Sequence, residues 1–399
     1  MRYIKLIISS LIGLVGIIFY FVSIPTMNKE ALVNLTVEAG NEDLLEDIYF
    51  NGYLLNNEHY TFLMNNEEGI TTNAGQSYLE KLDAPSDQAL SILQEKYPLL
   101  IDDLIYDNNI SPFYILNSDK YLISGHFRMN ETTLYTDTST VYLSALDKES
   151  NEIVEDEVTR EHAPDGDYID IIGLHEEYPV VKILYNTTTW GTNTEGEKSH
   201  LTVGEYNFET KNYSETSLLN ENGSFFGENT NTSFAKNNDI QIINHYGNNV
   251  YEGEGTANTY IYNFAEDSFS PLENSPVNYF VGNNNQLFTL ENVDDEVYLR
   301  EFNQTGQEVI NEVALNAEFP LDLQGEYPFI IKKIINNQLF VIQTPMPETQ
   351  GPEIPPSELY VFDIETGENL LFGEFEYDNN SEFDAPQGMI DAIGQMSDF

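Results

Sequence analysis

A hydrophobic strand that follows an Asn-containing or Asp-containing turn recurs along this chain, and this recurrence constrains the fold more than any other feature. The two clearest copies are NNQLFTL at residues 284–290 and NNQLFVI at residues 336–342, and residues 56–63 and 118–124 are looser copies. Asn and Asp tolerate turn conformations, and the apolar residues that follow suit a strand. Because another strand-like run precedes each turn, each copy predicts a β-hairpin.

A second recurring element consists of a strand, a polar turn and another strand. It has an apolar residue, an aromatic residue or Leu three positions on, usually an Asp or Asn next, then a small residue and a closing apolar one. The five copies are Leu143/Leu146/Asp147/Ser150/Ile153, Val203/Tyr206/Asn207/Thr210/Tyr213, Ile261/Phe264/Ala265/Ser268/Leu272, Leu299/Phe302/Asn303/Gly306/Val309 and Leu359/Phe362/Asp363/Thr366/Leu370.

Joining the two elements gives a four-stranded unit that repeats along the chain. A single four-stranded sheet cannot bury both of its faces, so such units stack around an axis or pair. The sequence therefore predicts a mainly β fold that resembles a β-propeller, with six blades favoured over seven and with a β-sandwich or two β-domains as the alternative. The copies lie at residues 112–157, 168–215, 239–273, 277–312 and 328–373, with a degenerate copy at 45–110 that contains a predicted helix at 86–106.

The sharpest copy, LYVFDIETGE at residues 359–368, resembles the outer hairpin of quinoprotein-like and WD40-like propeller repeats, in which a strand ends in an Asp-x-x-Thr-Gly turn. The resemblance covers this turn well and the other copies in outline, and it implies propeller blades. The Trp that these repeats often carry after the turn is absent from every copy, since the single Trp of the chain is Trp190. A quinone cofactor is therefore not implied.

The N-terminal region contains 19 residues without a charge, residues 6–24. As a helix this run would span about 28 Å, close to the hydrocarbon thickness of a bilayer. Arg2 and Lys5 precede it and predict a cytoplasmic N-terminus. The alternative is a cleaved signal peptide, but the run exceeds the usual ~7–15 residues and no small-x-small site follows it.

These features divide the chain into a membrane anchor, a linker with the first strand, an outer domain and a tail. The anchor covers residues 1–26, the linker 27–44, the extracellular propeller-like domain 45–378 and an acidic C-terminal tail 379–399, with a short helix considered near 386–396.

Composition excludes several classes of function. With 67 acidic and 16 basic residues the net charge is −51, which argues against nucleic-acid binding because phosphate contact needs clustered Lys and Arg. The chain has no cysteine, which excludes disulfides, thiol catalysis and Cys-based zinc sites. A secreted animal domain of this size would usually carry disulfides, whereas an exported bacterial protein need not, so a bacterial origin is favoured.

One acidic segment invites comparison with a calcium-binding loop. Asp165, Asp167 and Asp170 are closely spaced, but the positions that need an oxygen ligand and a Gly hold Ile169 and Asp170. The EF-hand interpretation therefore fails, and a different Ca²⁺ site here or at residues 294–296 stays a hypothesis. No other cofactor is predicted.

The remaining candidate residues form no catalytic motif. The chain has no GxSxG, no HExxH and no phosphate-binding loop, and its 67 acidic residues make pairs of carboxylates uninformative. The histidines are scattered, at His59, His126, His162, His175, His200 and His245.

We therefore expect a single-pass, membrane-anchored extracellular binding or scaffold protein. Its partners would be an envelope protein or a wall-associated ligand, and catalysis is the less favoured class. The alternative is a carbohydrate-active hydrolase or lyase that uses paired carboxylates. The long polar segments 186–199, 220–238 and 345–356 are the candidate binding loops, or tolerated insertions.

Overall fold

The computed structural model describes the chain from Val33 onward, with gaps. The described residues are 33–55, 59–65, 69–72, 88–98, 100, 113–129, 138–161, 168–189, 198–227, 234–236, 238–247, 257–272, 279–282, 285–294, 296–316, 329–344, 356–377 and 387–395.

These residues contain 26 strands, one α-helix and one short 3-10 helix. The first strands are β1 Val33–Gly40, β2 Ile48–Leu55, β3 His59–Asn65, β4 Gly69–Thr72, β5 Phe113–Asn117, β6 Tyr121–Met129, β7 Thr138–Asp147, β8 Glu152–Glu161, β9 Tyr168–Glu177, β10 Val180–Thr189, β11 Lys198–Asn207, β12 Asn212–Asn222 and β13 Ser224–Gly227. The others are β14 Phe234–Lys236, β15 Ile240–Tyr246, β16 Ala257–Asn263, β17 Ser268–Leu272, β18 Tyr279–Val281, β19 Leu287–Val293, β20 Glu296–Phe302, β21 Val309–Leu315, β22 Phe329–Ile335, β23 Gln338–Thr344, β24 Ser357–Asp363, β25 Asn369–Tyr377 and β26 Gln387–Gln395. The α-helix, α1, is Gln88–Lys96, and the 3-10 helix is Glu42–Leu45.

The strands form six sheets, which are the blades of a propeller. Their strand orders are β26-β2-β3-β4 in blade 1, β14-β5-β6-β7-β8 in blade 2, β9-β10-β11-β12 in blade 3, β13-β15-β16-β17 in blade 4, β18-β19-β20-β21 in blade 5 and β22-β23-β24-β25-β1 in blade 6. The strands β5, β9 and β13 contact one another in sequence around the ring, as do β18, β22 and β26. These strands therefore surround a common axis, and the predicted six-bladed fold is confirmed.

A cluster of buried apolar side chains fills each of the six junctions between blades. Successive side chains of a strand point to opposite faces, so one strand serves two junctions. In β23, Leu339 and Val341 pack toward blade 5, whereas Phe340 and Ile342 pack toward blade 1. Representative pairs are Leu63 and Leu122 between blades 1 and 2, Leu143 and Ile171 between 2 and 3, Leu184 and Tyr262 between 3 and 4, Ile242 and Leu287 between 4 and 5, Leu299 and Tyr360 between 5 and 6, and Phe340 and Ile390 between 6 and 1.

Both terminal strands of the described chain take part in closing the ring. β26 pairs with β2 as the innermost strand of blade 1, and β1 pairs with β25 as the outermost strand of blade 6. Val33 of β1 and Ile390 of β26 belong to the same apolar cluster. The helix considered near residues 386–396 is wrong, because this part of the predicted tail forms β26.

The predicted helical insertion is present, and α1 lies within the predicted range 86–106. Leu93 of α1 and Leu100 after it are buried against residues of blades 1 and 2. The helix thus covers the junction that it interrupts in the sequence.

Residues 220–238 are not the single loop that the sequence predicted. They contain the end of β12, the inner strand β13 of blade 4, and β14. β14 pairs in parallel with β5, whose other edge is bonded to β6. β14 therefore lies on the axial side of blade 2, although β13 and β15, the strands before and after it in the sequence, belong to blade 4.

In the part of the chain that the structure describes, no helix has the length and apolar character needed to cross a membrane. The predicted span, residues 6–24, lies outside the described residues.

Replacing Ile390, which is fully buried in β26, tests ring closure. Ile390→Ala is expected to lower the free energy of unfolding by about 2–5 kcal/mol, because it opens a cavity between blades 6 and 1. Ile310→Ala is the matched control, since Ile310 is 58% exposed on β21, and its effect is expected to stay below about 0.5 kcal/mol. Urea unfolding of both variants would measure the difference, and equal losses would contradict the closing role of β26.

Candidate functional site

The antiparallel order of each blade gives the ring two unlike faces. On one face, here called the turn face, the first strand is joined to the second and the third to the fourth, mostly by short connections. Residues 336–337 are an example, with Asn336 and Asn337 at φ 51° and 62°. The exceptions are blade 4, where residues 228–239 with β14 lie between β13 and β15, and blade 1, whose first strand β26 does not precede β2 in the sequence. On the other face, here called the loop face, the second and third strands are joined. Four of these connections are long: residues 130–137, 190–197, 247–256 and 345–356.

The turn face is built from one repeated hydrogen-bonding device. An Asp or Asn at the end of the third strand accepts backbone N–H groups from the turn that follows, which satisfies donors that no strand pairs. The five residues are Asp147, Asn207, Asn263, Asn303 and Asp363. Four of these residues match the Asp or Asn position of the predicted element. In blade 4 the predicted position holds Ala265, and the residue that accepts the hydrogen bond is Asn263, two positions earlier. These residues are therefore structural.

Of the predicted calcium ligands, Asp165 and Asp167 lie outside the described residues. Asp170 lies in strand β9 opposite Asn186, and burial raises the pKa of its carboxyl group. Asp294 of the second candidate lies in the turn after β19, at φ 53°. Among the residues that the structure describes, no group of three or more His, Cys, Asp or Glu side chains could hold a metal ion.

The histidines occupy different environments. His175 and His245 are buried, whereas His126 and His200 are partly buried. The side chains of His59 and His162 lie outside the described part of the chain. His245 makes a hydrogen bond within a polar cluster at the loop face, so it is the histidine of interest.

The polar cluster surrounds the crossover from β12 to β13, at the loop face of blades 3 and 4. Here the chain leaves one sheet for the next, so its carbonyl groups lack strand partners and need other donors. Three buried side chains from three strands supply them. The contacts are His245 Nε2 to the Asn222 carbonyl at 3.1 Å, Asn186 Nδ2 to the Phe225 carbonyl at 3.4 Å, and Ser199 Oγ to the Gly223 carbonyl.

Gly223 makes this path sterically feasible. Its φ is +119°, and a Cβ there would lie 2.1 Å from the carbonyl oxygen of Tyr246. Such a contact is far inside van der Waals distance, so only Gly fits the crossover.

His245 faces a carboxylate with its second ring nitrogen. Because its Nε2 donates to a carbonyl, Nδ1 of the neutral ring carries a lone pair. That Nδ1 lies 3.3 Å from Oε2 of Glu221, an ion-pair distance without hydrogen-bond geometry. Burial lowers the pKa of His245, and this effect exceeds the opposing effects of Glu221 and the Asn222 carbonyl. The two acceptors can share one proton.

Two further acceptors lie at the same end of blade 3. Asn186 Oδ1 and Thr187 Oγ1 are buried and have no hydrogen-bond partner among the described residues. The neighbouring bond between Thr188 and Ser199, at 3.1 Å, has an equivalent in blade 6 between Thr344 and Ser357, also at 3.1 Å. That bond is therefore part of the blade architecture. Of the two buried acceptors, Asn186 Oδ1 belongs to the polar cluster, whereas Thr187 is the next residue of β10 and lies on its opposite face.

An ion pair between the buried Lys182 and the exposed Asp267 joins the same two blades at the opposite face. Lys182 Nζ lies 2.8 Å from Oδ1 of Asp267 and donates to the Phe264 carbonyl at 2.7 Å. Tyr262 donates to the same Asp267 oxygen at 3.0 Å. The hydrogen bond from Lys182 lowers the pKa of Asp267. These contacts link blades 3 and 4, so the charged and polar groups of Lys182, Asp267 and Tyr262 bind one another within the ring.

Comparison with known proteins gives no family. No protein-family model matches the chain, and no curated protein matches it.

Several solved structures are similar in outline. A Synechocystis apocarotenoid oxygenase mutant has a TM-score of 0.42 at 9% identity, over 92% of this chain and 97% of that chain. The acylaminoacyl peptidase of Pyrococcus horikoshii has a TM-score of 0.38 at 13% identity, over 87% of this chain and 51% of that one. The β-propeller domain of the trilobed protease of Pyrococcus furiosus has a TM-score of 0.33 at 10% identity, over 66% and 71%. The fold assignment rests on the six sheets themselves.

His245→Gln is expected to weaken the pH dependence of stability below about pH 6.5. In the unfolded chain the histidine titrates at its ordinary pKa, whereas burial lowers this pKa in the folded protein. As the pH falls, the unfolded state takes up the proton first, so the wild type loses stability relative to the variant until the folded pKa is passed.

Urea midpoints of wild type and variant at about pH 7.5 and about pH 5.5 measure this effect. His200→Gln controls for the removal of a histidine from the loop end of β11. A wild-type advantage that stays constant or grows toward acid would contradict the assignment.

Proposed function

We propose that the protein is a membrane-tethered binding or scaffold module on the outer side of the membrane, with the loop face as its interaction surface. The observation that carries the proposal is the difference between the two faces. Apart from residues 228–239, which include β14, the connections of the turn face are short, and their Asp and Asn side chains are used within the turns. The long connections leave from the loop face, where binding residues commonly lie on a rigid scaffold.

The charge of the long connections indicates the kind of partner. Each of the four carries two carboxylates and neither Lys nor Arg, and three of them contain Tyr135, Trp190 or Tyr251. Acidic and aromatic side chains favour a partner that is cationic or a neutral hydrogen-bond donor, and they disfavour polyanions.

The tether is residues 6–24, the uncharged run of the sequence. Arg2 and Lys5 before it favour a cytoplasmic N-terminus, which puts the propeller on the outer side.

Site-specific photo-crosslinking tests the interaction surface, and the cysteine-free chain allows one label per variant. Lys198→Cys and Thr210→Cys put an exposed thiol at opposite ends of blade 3, at the loop face and the turn face respectively. In native membranes we expect a discrete adduct from Lys198→Cys and none from Thr210→Cys. Adducts from the turn-face variant alone, or from neither, would count against a binding loop face.

Charges placed in the tether test membrane attachment. Leu14→Arg with Ile18→Arg is expected to release the chain from the membrane fraction in alkaline extraction, because each Arg near a helix centre costs about 2.5–3.5 kcal/mol on insertion. Leu14→Val with Ile18→Val, the apolar control, should stay with the membrane. A full-length chain already soluble in alkali would refute the tether.

A further inference from the structure

We infer that the ring is held with its loop face toward the membrane, so that the partner of this face is an outward-facing segment of a neighbouring membrane protein. This inference rests on the proposed function, and it adds an orientation and a location for the partner. Its basis is the direction of β1, the strand that follows the tether.

The direction of β1 follows from its pairing with β25. β25 starts after the turn at residues 364–368, on the turn face, so its other end at Tyr377 lies at the loop face. β1 is antiparallel to it: Val33 pairs with Tyr377, and Gly40 pairs with Leu371. The chain therefore enters the ring at the loop face.

A hydrogen bond confirms the position of that end. The Tyr377 hydroxyl lies 2.9 Å from Oγ of Ser357, which in turn lies 3.1 Å from Oγ1 of Thr344. Thr344 and Ser357 flank the long connection 345–356 of the loop face. Val33 is thus beside one of the binding loops.

The start of β1 is firmly held. Val33 is 2% exposed and packs in the cluster between blades 6 and 1, with Leu35 and Val37 partly buried against it. The pairing continues along the strand to Gly40, and the next residue, Asn41, donates its N–H to the Leu370 carbonyl at 3.2 Å. The first described residues of the chain are therefore an integral part of the ring.

The segment between the uncharged run and β1 is too short to allow every orientation of the ring relative to the membrane. Residues 25–32 span at most about 29 Å when fully extended. β25 has nine residues and is about 26–30 Å long, so a ring with its turn face toward the membrane would need an almost fully stretched tether. With the loop face toward the membrane, the tether has slack.

Lipid is not the expected occupant of the space below the ring. The chain has a net charge of −51, and the four long connections carry carboxylates without cations, so anionic headgroups repel this face. A soluble macromolecule arriving from outside meets the turn face first. The outward segment of a membrane protein is the partner that this geometry admits.

Energy transfer to the bilayer tests the orientation in the full chain. Four single-cysteine variants carry a donor dye, and the chain is reconstituted into phosphatidylcholine vesicles with acceptor-labelled headgroups. Asn34→Cys and Glu365→Cys mark the loop end and the turn end of blade 6, and Lys198→Cys and Thr210→Cys mark the same ends of blade 3. All four positions are exposed.

In both blades the loop-end label is expected to show about twofold or more higher transfer efficiency than the turn-end label, because the ends of a blade are about 26–30 Å apart. Higher transfer from the turn ends would overturn the inference. So would higher transfer from both labels of blade 6 than from both labels of blade 3, the result for a ring standing on edge. A chain that does not enter the vesicles would remove the proposed tether, and the inference with it.

Discussion

Every blade of this protein is apolar on both faces, and the rest of the structure depends on this property. The junction between blades 6 and 1 alone buries sixteen apolar residues, among them Phe340, Phe375 and Ile390. At about 1.5–3 kcal/mol for each fully buried large side chain, exposing such a cluster would outweigh a typical net stability of about 5–15 kcal/mol. The row of blades therefore cannot end and must close on itself. Both terminal strands of the described chain serve this closure.

The blades themselves could be predicted because their signals are local. A turn such as Asn336–Asn337 lies next to the strands it joins, and the apolar residues that follow have the period of a strand. The Asp-x-x-Thr-Gly turn at Asp363 is visible in the sequence for the same reason. Hairpins of this kind account for most of the ring.

Strands whose partners are distant in the sequence could not be assigned in the same way. β26 pairs with β2, from the other end of the domain, and nothing near Ile390 in the sequence indicates that pairing. The spacing of Met389, Ile390 and Ile393 also suits one face of a helix, and tertiary pairing overrides it. β13 and β14 are short and lie among Asn-rich residues, so they resemble a loop. The missing information is the identity of the partner strand.

The polar cluster at the loop face was missed for a related reason. His245, Asn186 and Ser199 come from three strands, and each is a single polar residue in an otherwise ordinary strand. What unites them is a set of backbone carbonyls, which leave no mark on residue spacing. The sequence marks this place only by Gly223, whose positive φ is known from the structure. The spacing of Asp165, Asp167 and Asp170, by contrast, suggested a loop, although Asp170 lies in a strand.

The position of β1 also determines how the ring would respond to mechanical load. A pull on the residues before Val33 acts along the axis of a strand that is paired with β25 from Val33 to Gly40, with one register shift between Val37 and Ala39. Such a pull loads the hydrogen bonds of the pair together, in shear, and does not peel them apart one after another. The same strand packs in the junction that closes the ring, so detaching it would also expose the apolar seam. The start of β1 is thus among the parts of the molecule best suited to bear force.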